Sequence, residues 1–322
     1  MISEGIIMRT SQNRLISVCR VAIPALILGV AMSALGARAL AATAEQETFS
    51  APEQAIDALI AADRSNNTAE LLKILGPDSE KIISSGDPIA DKAGRNRFAA
   101  AYDASHKLER PGADKVDLIV GTEDWPYPIP LVREGAVWRF DTKAGENVIL
   151  TRRIGRNELK VIEVCRAYVE AQREFAAKDH TGTGHLEYAR NILSSKGNHD
   201  GLYWPSGAGE EQSALGPLMA KARAAGYFAK DSEAAPFYGY YYKILIRQGP
   251  NAPGGAKNYV VDSHMTGGFA MLAFPARYGD SGIMTFIVNQ DGIVYQKDLG
   301  PDTASVADKI TEFDPDASWK TR

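Results

Sequence analysis

From residue 50 onward the apolar positions of the chain repeat first at helical spacing and then at strand spacing. Ser50-Ala51-Pro52-Glu53 fits a capping box, in which a hydroxyl and a carboxylate satisfy the first free N–H groups of a helix. Ala55, Ile56, Leu59 and Ile60 then fall on one helical face, and the helix should end near Asn66-Asn67. A second helix is expected from Ala69 to Leu75, stopped by Gly76-Pro77, and a third from Asp91 to Lys107. After Pro111-Gly112 the period changes. Val116 to Val120 reads as a strand, and Ile129–Val132 should pair with Val137–Phe140 across Glu134-Gly135 as a hairpin.

Arg152-Arg153-Ile154-Gly155-Arg156 reads as a seam, with Asn157 placed to cap a new helix. Leu159, Ile162, Cys165, Val169, Gln172 and Phe175 form one stripe of that helix, and its charged residues lie mostly elsewhere. Glycine-rich loops follow from Gly182 to Gly216, then a helix from Pro217 to Ala225. Four strands come next. In the first, Tyr238, Tyr240, Tyr242, Ile244 and Ile246 alternate onto one face, the mark of a packed sheet face. Gly268–Phe274 and Ile283–Val288 are apolar on both faces, as central strands are, and the second turns through Gln290-Asp291-Gly292 into Ile293–Lys297. A short helix near Val306–Ile310 closes the pattern. Helices followed by antiparallel strands, twice over, predict an α+β protein of two domains, residues 50–150 and 157–322.

The N-terminus has a different grammar. Arg9, Arg14 and Arg20 precede an apolar run from Val21 to Leu35, and Ala39-Leu40-Ala41 or Ala42-Thr43-Ala44 fits a cleavage site. Residues 1–41 are therefore expected to be a signal peptide and the remainder periplasmic or secreted, with no membrane span in the mature chain. The chain has 36 Lys+Arg against 40 Asp+Glu. Losing Arg9, Arg14, Arg20, Arg38 and only Glu4 makes the remainder more acidic still, the wrong sign for a nucleic-acid partner. Of the two cysteines, Cys19 would leave with the signal, so Cys165 is expected alone and buried on its helix stripe.

Two long stretches carry a resemblance. One runs from Glu123-Asp124-Trp125-Pro126-Tyr127-Pro128-Ile129-Pro130-Leu131 through Trp138-Arg139-Phe140-Asp141-Thr142 to Arg152-Arg153-Ile154-Gly155-Arg156-Asn157-Glu158-Leu159. The other joins Gly268-Phe269-Ala270-Met271-Leu272-Ala273-Phe274-Pro275-Ala276 to Met284-Thr285-Phe286-Ile287-Val288-Asn289-Gln290-Asp291-Gly292. Together they resemble the bacterial exported proteins of domain-of-unknown-function family 2950, which lends no catalytic residues. In fold alone, residues 50–150 look like a nuclear-transport-factor-2-like (NTF2-like) cone, helices leading into a curved sheet. Residues 157–322 look like a pilin-like domain, a long helix containing Ala171-Gln172 on a four-stranded antiparallel sheet. Unlike a pilin, the helix begins mid-chain without an apolar N-terminal half or a prepilin site.

Chemistry is sparse in the linear sequence. His180, His185 and His199 with Asp179, Glu187 and Asp200 are the densest set of metal donors, but at irregular intervals in a glycine-broken loop, and no metal is expected there. Asp298, Asp302 and Asp308 lack the run that gathers calcium, and Asp302 or Thr303 is expected to cap the last helix instead. There is no G-x-S-x-G elbow, no base beside Cys165 and no phosphate loop, so no catalytic residue and no cofactor is expected. Trp125, Arg152, Arg153 and Arg156 remain as candidate binding residues for an anionic or carbohydrate ligand at the seam; the competing reading makes them a loop anchor and interdomain salt bridges. The expected function is a non-catalytic cell-envelope binding or assembly module, whose partner is unknown, another envelope protein being one candidate. An enzyme with its pocket in the first domain and a pilin-like structural subunit are the alternatives.

Overall fold

The computed structural model describes residues 45–207, 209–227 and 235–322; the expected signal peptide lies outside them. Helix α1 (Pro52–Arg64) buries Ala55, Ile56, Leu59 and Ile60 on one face. Its N-cap is Ala51, with Pro52 preset for the first turn. The capping box does not form, because Ser50 Oγ is turned to Gln54 Oε1, 2.8 Å away. α2 (Thr68–Leu75) is capped by Asn67, whose side chain accepts from Glu70 N. After a 3₁₀ turn at Pro77–Ser79 come α3 (Glu80–Ile83) and α4 (Pro88–Ala104), the latter capped by Asp87 through Ala90 N.

α4 ends at Ala104, short of Lys107, because His106–Gly112 becomes an edge strand, β1, that pairs with β2 (Lys115–Val120). β3 (Trp125–Pro126) pairs with β2, which also pairs with β4 (Leu131–Glu134), and β4 forms the expected hairpin with β5 (Val137–Phe140). Ile56, Leu59, Ile74 and Leu75 from the helices meet Val116, Leu118, Leu131 and Phe140 from this antiparallel sheet in a first hydrophobic core.

The helix expected to begin at residue 157 begins at Thr142. α5 (Thr142–Phe175) is 34 residues long, about 50 Å, and is capped by Asp141 through Ala144 N. The run read as a seam is thus mid-helix. Gly155 has open space around it, so its position costs helix propensity without ending the helix. Gly145 is there for close approach: a Cβ on it would stand 2.6 Å from the Pro128 carbonyl oxygen. Asn157 caps nothing. Its buried amide donates to the Ser281 carbonyl instead, at 2.9 Å.

The C-terminal part of α5 buries Ile162, Cys165, Tyr168, Val169, Gln172 and Phe175 against a second core, whereas Leu159, expected on that stripe, is 58% exposed. β6 (Asn191–Leu193) and β7 (Gly201–Tyr203) form a small parallel pair inside the loop region, and α6 (Gly216–Ala224) follows. β8 (Tyr240–Leu245) is next, with two short pairs after it: β9 (Arg247–Gln248) with β10 (Lys257–Asn258), and β11 (Val260–Val261) with β12 (His264–Met265). β13 (Ala270–Pro275), β14 (Met284–Asn289) and β15 (Val294–Asp298) complete the four expected strands. With β16 (Lys320–Thr321) they make an antiparallel sheet of order β16-β15-β14-β13-β8, with α7 (Thr303–Lys309) beside it. β8 is an edge strand, so the tyrosine row is only partly packed. Tyr240 is fully buried, Tyr242 and Ile244 half-buried and Ile246 exposed, while Tyr238 sits in a turn at φ 53°.

The protein is therefore α+β, with two hydrophobic cores in one compact unit and α5 running along both. Among the described residues no helix is long and apolar enough to cross a membrane.

Candidate functional site

Residues of α4 and α5 together line two clefts. The first, about 280 Å³, opens into the first core. Leu59, Leu71, Leu75, Ile83, Phe98 and Ile149 give it apolar walls. Its polar groups are Asp63 and Tyr127 together with Asp91, Arg95, Arg152, Arg153 and Arg156. The second, about 260 Å³, lies toward the second core and is lined by Ser85, Arg97, Asn157, Lys160, Tyr227 and Tyr238. Asp91, Arg153 and Arg156 border both.

Asp63 is the most perturbed acid of the cleft. It occupies the last turn of α1 at seven residues from Ile56 and four from Leu59, so the stripe that buries those side chains buries it too. It is 6% exposed, and no hydrogen bond to its carboxyl is formed among the described residues. Burial raises its pKa from 3.8 to about 7, with Arg95 pulling the other way. Arg95 itself donates to Asn66 Oδ1 (2.7 Å) and to the Ile83 carbonyl (3.0 Å). Tyr127 is pushed up as well, by burial first and then by the charge of Asp63. An acid poised near neutrality next to a phenol, in an apolar cleft, can exchange a proton with a bound molecule.

The four residues expected at the seam divide into distinct roles. Arg153 is structural: its guanidinium donates to the carbonyls of Lys81 (2.6 Å) and Ile82, closing the end of α3 against α5. Burial lowers its pKa, against the attraction of Asp91 and Asp280. Trp125 is 54% exposed, donates to Glu123 Oε2 at 3.1 Å, and lies under Arg152, whose guanidinium carbon is 5.8 Å from the ring centroid. Arg156 has no hydrogen bond or ion pair among the described residues, and neither has Arg97 across the second cleft. Packing around the Arg156 guanidinium and the charge of Arg97 both lower its pKa. The interdomain salt bridges that were the competing reading are not made by these arginines.

Asp63, Tyr127, Arg95 and Arg97 were not singled out in the sequence. One signal was available, since Asp63 is an acid standing on an otherwise apolar helical stripe. Trp125 and the arginines were visible because a proline-flanked tryptophan and a basic run are conspicuous in a linear reading.

The four histidines after α5 part into two groups. His180, His199 and Glu211 converge, whereas His185 lies against His264, with ring centroids 4.1 Å apart. Asp179 and Asp200, read as possible donors, bond to their own loops. Asp302 occupies the N-cap of α7 without a side-chain cap bond. Another hollow, about 400 Å³ at the edge of β8, is walled by Val164, Leu215, Met219 and the tyrosines 240–242, with Arg190 the one fixed charge among its described residues.

Residues 46–321 match the family described as protein of unknown function (DUF2950), and the chain belongs to that family. No curated protein and no solved structure gives a significant match.

Proposed function

We propose, starting from membership in DUF2950, that this protein is an exported cell-envelope binding module rather than an enzyme. Its ligand is a small molecule with an apolar body and an anionic group, held in the clefts lined by α4 and α5. Arg156 is the observation that carries this reading: a cation bordering both clefts, near Arg97, with neither making an ion pair or hydrogen bond among the described residues. Like charges held together in a concave surface focus a positive potential, and an anion relieves it. The aliphatic and aromatic walls of the first cleft suit an apolar body of modest size. Export is supported by the basic, apolar and small-residue order of residues 9–44. The packing of four helices on a short antiparallel sheet supports an NTF2-like reading of the first core. A long helix on an antiparallel meander supports a pilin-like reading of the second. A pilus subunit is disfavoured, because the N-terminal half of α5 is polar and engaged with the first core.

Titration calorimetry with octanoate and octyl phosphate, and with octanol as the neutral control, tests the proposal. The expected result is saturable binding of the anions alone, weakened about tenfold or more by Arg156→Gln, as loss of a charged contact implies. Since ionised Asp63 repels an anion, affinity should rise as pH falls through about 7. Equal binding of octanol, or indifference to Arg156→Gln, overturns it. The second reading, an enzyme, is favoured by the near-neutral pKa of Asp63; Asp63→Asn separates the two, because it spares anion binding and removes proton transfer.

A further inference from the structure

Beyond the end of α5 the chain folds back so that three loops meet over Trp204. His180 stacks on Phe175, the last residue of α5, at 4.5 Å between ring centroids, and leans on Trp204 at 5.3 Å. His199, in the loop between β6 and β7, lies flat on the same indole at 4.2 Å and 14°. Glu211 follows Trp204 in the chain, and its carbonyl accepts from Trp204 Nε1 (3.2 Å) and Ser206 Oγ (2.7 Å). Nδ1 or Nε2 of each imidazole and a Glu211 carboxylate oxygen all lie within 4.8 Å of one another.

Each of the two histidines has a neighbour that fixes its loop. Asp179, next to His180, accepts from Gly182 N and Gly184 N at 2.8 Å each. Asp200, next to His199, accepts from Ser195 N (2.7 Å) and Ser195 Oγ (2.6 Å). The two acids that look like donors in the sequence thus serve as loop anchors for the histidines. The ring faces are held by aromatic contact, and one nitrogen of each ring stays within 4.8 Å of the other and of a Glu211 carboxylate oxygen. Such outer support around the donors is what a metal site needs beyond the donors themselves.

We infer that His180, His199 and Glu211 form a site for a divalent transition ion of the zinc class. Two imidazoles and one carboxylate suit zinc, nickel or copper and are a poor set for calcium or magnesium, which take oxygen donors. Bonds of about 2.1 Å in tetrahedral geometry place donors about 3.4 Å apart, so closure from the present separation takes side-chain adjustment of about an ångström. Three protein donors leave the fourth position for water or a ligand. Beside the donors lies a hollow of about 240 Å³, lined by His180 and Glu211 together with Glu174, Lys178 and Gln212. Lys178 Nζ lies 2.5 Å from Glu211 Oε1, and this exposed ion pair is the contact a metal displaces. The site is about 28 Å along α5 from Arg156 and stands independently of the proposed anion cleft.

Chelator-stripped, tag-free protein titrated with Zn²⁺ in the calorimeter should take up one ion per chain with Kd below about 10 μM. His199→Ala and Glu211→Gln, both at exposed positions and both checked by thermal melting, should each weaken binding by about tenfold or more. As a second readout, Ni²⁺ should quench tryptophan emission in the parent protein. Trp204→Phe, still able to bind Zn²⁺, should lose that quenching. No saturation by about 100 μM Zn²⁺, or equal affinity in the parent and both variants, overturns the inference.

Discussion

Asp63→Asn removes a single ionisation from the floor of the cleft while nearly preserving side-chain shape. No hydrogen bond to the Asp63 carboxyl is lost among the described residues, and the attraction that disappears is to Arg95. A negative charge in the last turn of α1 is also opposed by the helix dipole. The pKa of this group is raised on folding, from 3.8 to about 7. The folded state therefore holds the proton more tightly than the unfolded chain, and stability falls as pH rises from about 4 to about 7. Above that window the loss is constant. At about 1.36 kcal/mol per pH unit, ionisation of Asp63 costs about 4 kcal/mol at pH 8 and about 1.5 kcal/mol at pH 5.

Asparagine is neutral throughout, so the variant should be more stable than the parent by about 2–4 kcal/mol at pH 8, the Arg95 attraction being already contained in the net pKa of about 7. At pH 5 the advantage should shrink to about 1 kcal/mol or a little more. Urea unfolding of both proteins at pH 5, 6, 7 and 8, with slopes compared to confirm equal exposure on unfolding, measures this directly. A variant no more stable than the parent at pH 8 would refute the reasoning, and so would a difference that stays constant across the four pH values. Either result would mean that the carboxylate is held in its charged form by interactions stronger than burial. The predicted gain is also informative about purpose, because a residue whose removal stabilises the fold is retained for something other than stability.

Two further outcomes follow from the second core. Phe175 is 1% exposed and carries His180 on its ring, so Phe175→Ala should cost about 3–5 kcal/mol in the denaturant midpoint; a silent change would place the ring outside the core. Cys165 is buried and its thiol is pushed up to about 12, so a thiol reagent added to native protein at pH 8 should label it only as fast as the protein unfolds. Rapid stoichiometric labelling, read by mass spectrometry, would contradict that.

What could be read from the linear chain follows from the range of the forces involved. The central strands β13 and β14 and the turn at Gly292 were legible because alternation, apolar runs and a glycine at φ 79° are local features. Both helix-to-sheet successions, and therefore the α+β class, were legible for the same reason. The extent of α5 was not. Gly155 and three nearby arginines look like an interruption, yet tertiary contacts on both sides hold the helix through them: Arg153 to α3, and Asn157 to the Ser281 carbonyl. β1 was hidden by Pro111 and Gly112, which stand in its irregular last part, where the register with β2 shifts. The convergence of His180, His199 and Glu211 was equally out of reach, because loops separated by many residues meet only through Trp204.

The continuity of α5 also changes what the arginine run means. Arg153 and Asn157 are four residues apart and form one row of the helix, each spent on a backbone carbonyl of a different element. Glu158, one residue further, accepts from Ile283 N and Met284 N at 3.0 Å each, fixing the start of β14. Asp87 adds a tie from the start of α4, accepting from Tyr227 Oη at 2.6 Å and Gly239 N at 2.9 Å. The protein is thus already clamped by hydrogen bonds, most of them to backbone atoms, that leave the other row untouched. That other row is Arg152 and Arg156, again four apart, one over an exposed tryptophan and one facing Arg97. Like charges at this spacing cost a helix about 0.2–0.5 kcal/mol, and Arg97 adds to the repulsion. Arg152 offsets that cost over the Trp125 ring, whereas Arg156 makes no hydrogen bond or ion pair among the described residues. Clamping explains Arg153, Asn157, Glu158 and Asp87, and it leaves Arg156, without a bond among the described residues, for the anion proposed above.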